Sequence, residues 1–488
     1  MSDKQKLPLN LIYEPETYLC SWLVPNEAGD EREIPGDLTL RPLHRPTGQI
    51  YGDVPLQHTE HSPGVISTSF PQEINFPILH GRLANGGSVI LLDAHIQLWD
   101  KVGLITGAAA LLGKPAFFGL ADISGAPAVA APPDVTSATF QITALDAALG
   151  VAPIKNVSHP NHPDGEQDRW AATVNANAAG TWSTEDAELT VSYYQRMRAL
   201  DPCEFNLAFS PVATVKLSDP KPLEVTLNQY IEPLRKILSI ATGKPQELSY
   251  LHVELEGREN KYQVFGTGIT QSPFASSTTA IKAHNSVIRA LPDGLSLLDL
   301  VTQWSRYAAE HHPLVETYGA MLHARDQHPR SRYLLLIQAM EGLYGYENKA
   351  SDEQRQATHT VNYKVALAQA KNDLDAETFK FVKKYLSKKP SVSLDTALDA
   401  LLTGLPVNLM DQLSATDLVK EVQAADTTDL TTAGALRVVR NNLAHGNRGY
   451  DPYRLHEVVR LLEFIVRGHA LRILGCPEPV ISRVSPAE

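Results

Sequence analysis

Cysteine is nearly missing from this chain. The three present in 488 residues, Cys20, Cys203 and Cys476, are odd in number and far apart. No disulfide framework or zinc knuckle follows from them, and a reducing, cytoplasmic setting is expected. Long apolar runs are missing too. The most membrane-like stretch, Val102 to Gly113, falls well short of the ~20 residues that a helix needs to span a bilayer. The opening residues MSDKQKLPLNLIYEP contain no apolar segment of signal-peptide length, so no membrane partner is expected. Excess positive charge is also absent. With 43 Lys+Arg against 55 Asp+Glu the net charge is −12. That excludes coating nucleic acid or an anionic membrane by bulk charge and leaves room for a local basic site.

Several catalytic signatures are missing as well. No GxxxxGK loop ending in Ser or Thr occurs; Gly113-Lys114-Pro115 and Gly243-Lys244-Pro245 lack both the upstream glycine and the hydroxyl that binds magnesium. Neither HExxH nor GxSxG is present, so a nucleotide-driven motor or a serine hydrolase is not expected. Two histidine groups, His159, His162 and Asp164, and His311, His312, His323 and His328, have no recognised ligand spacing. They read as solvated loop residues, so no metal and no cofactor is expected.

What is present is a folded composition, 43% hydrophobic and 20% charged, long enough for two or three domains. Proline divides it. Twenty-five of the 33 prolines lie in residues 1–300, and only Pro390 and Pro406 fall between Arg330 and Asp451. Proline interrupts helices and central strands, so the two regions should differ in class. In the first, Asn85-Gly86-Gly87 suits a tight hairpin turn. Ile90, Leu92, Ala94, Ile96 and Leu98 then alternate with Asp93, His95 and Gln97, and Leu251, Val253 and Leu255 alternate with His252, Glu254 and Glu256. This predicts a sheet with one wet face, sandwich-like. Val151 to Trp182 reads as loop. Leu227, Ile231, Leu234 and Leu238 mark one helix, with Pro233 inside it and Gly243 at its end. From about Ser296 the period becomes 3.6. Leu455, Val458, Val459, Leu462, Ile465 and Val466 share the face of a last long helix. The expectation is an α+β chain: a β-rich domain over 1–290 and an all-α helical bundle over 291–488.

One segment carries a chemical pattern, Arg437-Val438-Val439-Arg440-Asn441-Asn442-Leu443-Ala444-His445-Gly446-Asn447-Arg448. Asn441 and His445 stand four apart and share a helix face. Gly446 suits the left-handed residue that ends a helix. A histidine can move protons at the oxygens of a phosphodiester, and an arginine can donate paired hydrogen bonds to the pentavalent phosphorus of the transition state. Such a pair can cleave RNA without metal, leaving a 2′,3′-cyclic phosphate. A basic run with an internal aromatic, Lys383-Lys384-Tyr385-Leu386-Ser387-Lys388-Lys389, reads as a solvated helix end that can also meet phosphate.

The segment RNNLAHG resembles the Arg-x4–6-His motif of HEPN domains. Upstream, SRYLLLIQAMEGL (Ser331 to Leu343) resembles the first HEPN helix of ApeA-type proteins, and LHGRLANGGSVILLD (Leu79 to Asp93) is similar to part of their N-terminal domain. The resemblance covers most of the chain. It implies an antiviral endoribonuclease of bacteria, acting in abortive infection. Arg440 and His445 would be catalytic, with Asn441 in support. RNA, transfer RNA among the candidates, would be the substrate, and a homodimer or higher homo-oligomer would form the composite site. The N-terminal domain would sense a phage protein. The alternative is a non-catalytic HEPN protein that binds nucleotide or RNA. Glu341, a carboxylate inside YLLLIQAMEGLY, either takes an exposed helix position or needs a partner; the resemblance implies that it orients Arg440. From Thr431 to Gly475 there are seven arginines, no lysines and three acids. This local excess of positive charge points to an arginine-lined cleft in which Arg437 and Arg448 contact RNA.

Overall fold

The computed structural model describes residues 9–25, 31–52, 57–69, 73–102, 105–112, 116–120, 132–158, 171–201, 204–276, 286–324, 327–388, 390, 393–426 and 429–484. The chain forms two compact units, residues 1–242 with 246–302, and 303–488 with 243–245.

The first unit is built from strands. β1 (Thr17–Pro25), β2 (Glu31–Thr39) and β3 (Thr47–Ile50) form a meander, and β4 (Gln57–Ser62) and β5 (Val65–Ser69) form a separate hairpin. β6 (Glu73–Leu83), β7 (Gly87–Val102), β8 (Ile105–Leu112) and β9 (Ala116–Leu120) follow. Gly86 takes φ +84° in the β6–β7 turn, and Gly87 N–H donates to Asn85 Oδ1 at 3.1 Å, so the Asn-Gly-Gly signal is realised. β8 pairs with both β3 and β7, so β1, β2, β3, β8, β7 and β6 close into an antiparallel ring. Trp22, Val24, Leu38, Ile50, Leu79, Val89, Leu91, Ala94 and Ile96 belong to one buried cluster supplied by five of these strands. The alternation expected along β7 changes parity at Asp93, whose φ is +44°. Val89 and Leu91 enter the core before it, and Ala94 and Ile96 after it. Aspartate tolerates this left-handed backbone better than most residues.

The remaining strands are β10 (Val135–Ile142), β11 (Ile154–Ser158), β12 (Ala171–Val174), β13 (Gly180–Ser183), β14 (Ala187–Asp201), β15 (Glu204–Lys221), β16 (Leu248–Leu255) and β17 (Lys261–Phe265). β9 pairs with the first part of β7 while β8 pairs with the last part, so the sheet runs on from the ring. Its order outward is β9-β17-β16-β10-β15-β14-β13. The expected β-rich, antiparallel architecture is what these strands form. Among the described residues the main sheet is one continuous thirteen-strand sheet, because the sixteen-residue β7 is long enough to serve two neighbours on one edge. The expected loop of 151–182 needs correcting, since β11 and β12 pair as a hairpin and β13 edges the main sheet. Nor is β16 wet on one face: Leu251, Val253 and Leu255 are buried, and so are Tyr250 and His252. Leu9, ahead of β1, clusters with Tyr250 and Val212 on that second face.

Helices α1 (Leu145–Leu149), α2 (Leu223–Thr226) and α3 (Glu232–Thr242) belong to this unit. A π turn, Leu227–Ile231, joins α2 to α3. Pro233 has no N–H to give and would crowd the carbonyl four residues back in an α-helix; the wider turn over that residue, Gln229, relieves the conflict. Gly243 ends the helix at φ +68°.

The second region is helical: α4 (Ala290–Asp293), α5 (Leu297–Ala309), α6 (Pro313–Met321), α7 (Pro329–Glu347), α8 (Lys349–Asp373), α9 (Ala376–Tyr385), α10 (Leu394–Thr403), α11 (Met410–Ala415), α12 (Asp417–Ala425), α13 (Thr432–His445), α14 (Pro452–Ile473) and α15 (Glu478–Ile481). The face read for the last long helix is the buried face of α14. Facing it, α7 buries Tyr333, Leu336, Ile337, Met340 and Leu343. Contacts of α7 with α6, α10, α13 and α14 place it at the centre of the bundle. Among the described residues, no helix is long and apolar enough to cross a membrane.

Candidate active site

The motif lies on α13 and in the turn after it. Thr431 caps the helix, its hydroxyl accepting from Gly434 N–H at 3.1 Å. Ala433, Ala435, Leu436, Val439 and Leu443 form the buried face. Gly446 closes the helix at φ +70°, and Asn447 N–H returns to the Asn442 carbonyl at 3.0 Å. This spacing leaves Arg437, Arg440 and Asn441 half-buried and His445 exposed.

The central helix α7 holds α13 at three points. The buried Tyr333 hydroxyl donates to the Leu436 carbonyl at 2.8 Å, and the Arg330 guanidinium donates to the Leu443 carbonyl in the last turn. Glu341 Oε2 accepts from Arg440 Nη2 at 3.3 Å, while Arg440 Nη1 donates to Asn441 Oδ1, also at 3.3 Å. The two charged side chains are 34% and 35% exposed. Arg440 is thus oriented, yet reachable from solvent. Glu341 and Asp352 line a cavity of about 170 Å3 with Tyr344, Gly345, Ser393, Leu394 and Ala397.

Arg440 and His445 do not meet within one copy. Five residues on a helix turn about 140°, so the two side chains point away from each other, whereas Asn441 lies about 40° from His445. Among the described residues no hydrogen bond engages His445.

The two arginines expected to contact RNA have other partners. Arg437 Nε donates to Asp395 Oδ1 of α10 at 2.6 Å. Arg448 pairs with Glu421 of α12 and stacks over Tyr450, 5.1 Å from the ring centre. Arg454 shares Glu421 at 2.9 Å, and Arg472 pairs with Glu347 at 2.5 Å. Arg467 is buried, only 6% exposed. Five of the seven arginines of residues 431–475, Arg437, Arg440, Arg448, Arg454 and Arg472, are therefore met by four carboxylates, Glu341, Glu347, Asp395 and Glu421, from elsewhere in the chain. Of these acids only Glu341 stands out in the sequence, as a carboxylate inside the apolar run YLLLIQAMEGLY; no local pattern marks Glu347, Asp395 or Glu421.

Of the histidines expected to be solvated at the start of the helical region, His311 is exposed and His312 is buried, which corrects the reading for His312. His311 Nδ1 lies 2.6 Å from Glu316. His312 is packed against Tyr307 and Tyr346, and burial lowers its pKa. His328 caps α7 by accepting from Arg330 N–H at 3.2 Å. His159, His162 and Asp164 lie outside the described residues, as does Lys389 of the basic run. Among the described residues, no group of three or more His, Cys, Asp or Glu side chains is placed to hold a metal.

Comparison with known proteins gives one assignment. Residues 20–290 match the family model described as ApeA N-terminal domain 1. No curated protein and no solved structure matches the chain. Since the match begins within β1, runs through β17 to α4 and covers more than half of the 488 residues, the chain belongs to the ApeA N-terminal domain 1 family.

Proposed function

We propose that the protein is a metal-independent endoribonuclease of anti-phage defence, with a HEPN-type site formed where two copies bring their α13 helices together. The observation that supports this most directly is Arg440. It is oriented by Glu341 and Asn441 but still open to solvent, on the helix that ends in the exposed His445. Because Arg440 and His445 diverge around α13, a second copy is the means of bringing one copy's histidine to the other's arginine.

The chemistry follows from the groups. The ribose 2′-oxygen attacks the adjacent phosphorus, and its proton passes to a histidine. The P–O5′ bond breaks, and the departing oxygen takes a proton from a second acid. Two His445 side chains, one from each copy, supply a base and an acid. Arg440 donates to the non-bridging oxygens with the N–H groups left free by Glu341 and Asn441. In abortive infection the strand-built region would sense a phage protein and release this activity.

The test is incubation of the pure protein with total RNA, transfer RNA included, in the presence of a chelator. The expected outcome is cleavage to 2′,3′-cyclic phosphate ends. Arg440→Ala and His445→Ala should each lower the rate about 10²- to 10⁴-fold with folding intact. Full activity in both variants overturns the proposal. RNA binding without cleavage by the wild-type protein supports the non-catalytic alternative instead.

A further inference from the structure

Arg437 and Arg448, the arginines that the sequence offers for RNA, are paired with carboxylates, so a cationic surface free of such partners is the better candidate for holding the substrate. Helices α8 and α9 provide one. They form a hairpin in which neither helix buries a single residue. Its inner stripe, Gln356, His359, Thr360 and Tyr363, is half-buried, and His359 and Gln356 bond to the carbonyls of Ser387 and Lys388 at 2.9 and 3.3 Å. This fixes the end of α9 against α8.

The outer face of α9 and the residues just after it carry Lys380, Lys383, Lys384 and Lys388. Among the described residues no carboxylate pairs with any of them. Beside this row stand Phe381 and Tyr385, 63% and 62% exposed, with ring centres 4.5 Å apart. Lys384 Nζ lies 5.1 Å over the Tyr385 ring. At 100° per residue the lysines of α9 and this aromatic pair lie within one arc of about 200°, which also holds Glu377 in the first turn of the helix. The helix dipole accounts for lysines in the last turn. It does not account for Lys380, or for two aromatic rings kept in water.

We propose that this lysine–aromatic ridge is the docking surface for single-stranded RNA, the lysines following the phosphates and Phe381 and Tyr385 stacking on bases. The inference rests on the ribonuclease reading and adds where the substrate lies. The ridge also leads toward the site. Gln356, which holds Lys388, is one helical turn from Asp352, and Asp352 lines the same cavity as Glu341, the partner of Arg440. A second copy of the chain fits the ridge less well, because a two-fold contact centred on α9 would set its lysine row against itself.

The test measures binding of a fluorescent 20-nucleotide polyuridine to the full-length H445A protein at 50 and 200 mM NaCl. In that background, K380Q/K383Q/K384Q/K388Q should weaken binding at least tenfold and flatten the log–log salt dependence by ~0.7 per lysine that meets a phosphate. F381A/Y385A should weaken binding about tenfold and leave the salt dependence unchanged. Unchanged binding in both variants, with cleavage by the otherwise wild-type chain also intact, overturns the ridge and leaves the ribonuclease reading standing. Ridge-dependent binding by a chain that never cleaves RNA does the reverse. Conversion of a dimer to a monomer by either variant, seen by sedimentation, would make the ridge a subunit contact and also overturn the inference.

Discussion

The strand-built unit and the helical unit solve the problem of polar groups in a packed interior in opposite ways. The first uses neutral amides. Gln141 is fully buried and makes four hydrogen bonds: it donates to the carbonyls of Pro211 and Phe274 and accepts from Ser249 Oγ and Phe274 N–H. Gln263, also fully buried, accepts from the N–H groups of Ile12 and Tyr13 and donates to the Tyr13 carbonyl and Gln271. Each glutamine fastens a segment without regular structure to a strand. The helical unit uses charge. Arg332 pairs with Glu463 at 2.7 Å, and Glu463 also accepts from the buried Tyr318 hydroxyl at 3.1 Å. A glutamine side chain has both donors and acceptors and can be fully satisfied without desolvating a charge. Arginine pairs are costlier to bury, but they leave donors that a phosphate can recruit.

This contrast can be tested, beginning with its largest expected effect. Gln141→Leu should destabilise the strand-built unit by about 3 kcal/mol, because it orphans polar groups of Pro211 and Phe274, while the Ser249 hydroxyl keeps the backbone carbonyl of residue 141. Urea unfolding read by hydrogen exchange in each unit should find the loss there, with α13 and α14 unchanged. A loss shared equally by both units would break the comparison.

The next effect is acid sensitivity. His469 is buried. Its Nε2 bonds to the Leu401 carbonyl at 2.8 Å and its Nδ1 accepts from Arg472 at 3.2 Å, so it is held neutral. Burial first, and Arg472 second, push its pKa down from 6.5 to about 4. The unfolded chain then binds the proton more readily than the folded one. The stabilisation is complete above pH 6.5 and is lost as pH falls from 6.5 toward 4, about 2 kcal/mol of it by pH 5. Unfolding of the helical unit at pH 7 and pH 5 should record that difference, and His469→Phe should abolish it whatever its effect on stability at pH 7. An undiminished difference in the variant would assign the acid sensitivity elsewhere.

The smallest structural effect concerns the site itself. Glu341→Gln removes a pair that is one-third exposed, so stability should change by less than about 1 kcal/mol. If Glu341 positions Arg440, RNA turnover should fall about tenfold in kcat with KM little altered. A change in stability alone would reduce Glu341 to a structural partner.

Much of the architecture is legible in the sequence for local reasons. The period of Leu455 to Val466, the Asn-Gly-Gly turn and the left-handed Gly446 depend on the residues themselves and their immediate neighbours. The places where the reading failed turn on one local backbone reversal and otherwise on distant partners. Asp93 reverses the alternation of β7, Leu9 covers the face of β16 that reads as wet, and β8 closes the ring by pairing with β3. Burial and strand pairing are settled by elements far apart in the chain, so periodicity within one strand cannot report them.

The site divides along the same line. By itself the sequence determined that Arg440, Asn441 and His445 stand on one helix ended by glycine, because helix geometry and capping act within a turn or two. The pairing of Arg440 with Glu341, across 99 residues of chain, is expected from the family resemblance and made by the tertiary structure. The tertiary structure alone decided that Arg437, Arg448, Arg454 and Arg472 are matched by acids from other helices, and that the lysines of α9 are left unmatched. Coulomb attraction falls with distance in space and not with separation along the chain. The sign and count of charges can be read from the sequence; which of them remain free for a ligand is decided by packing.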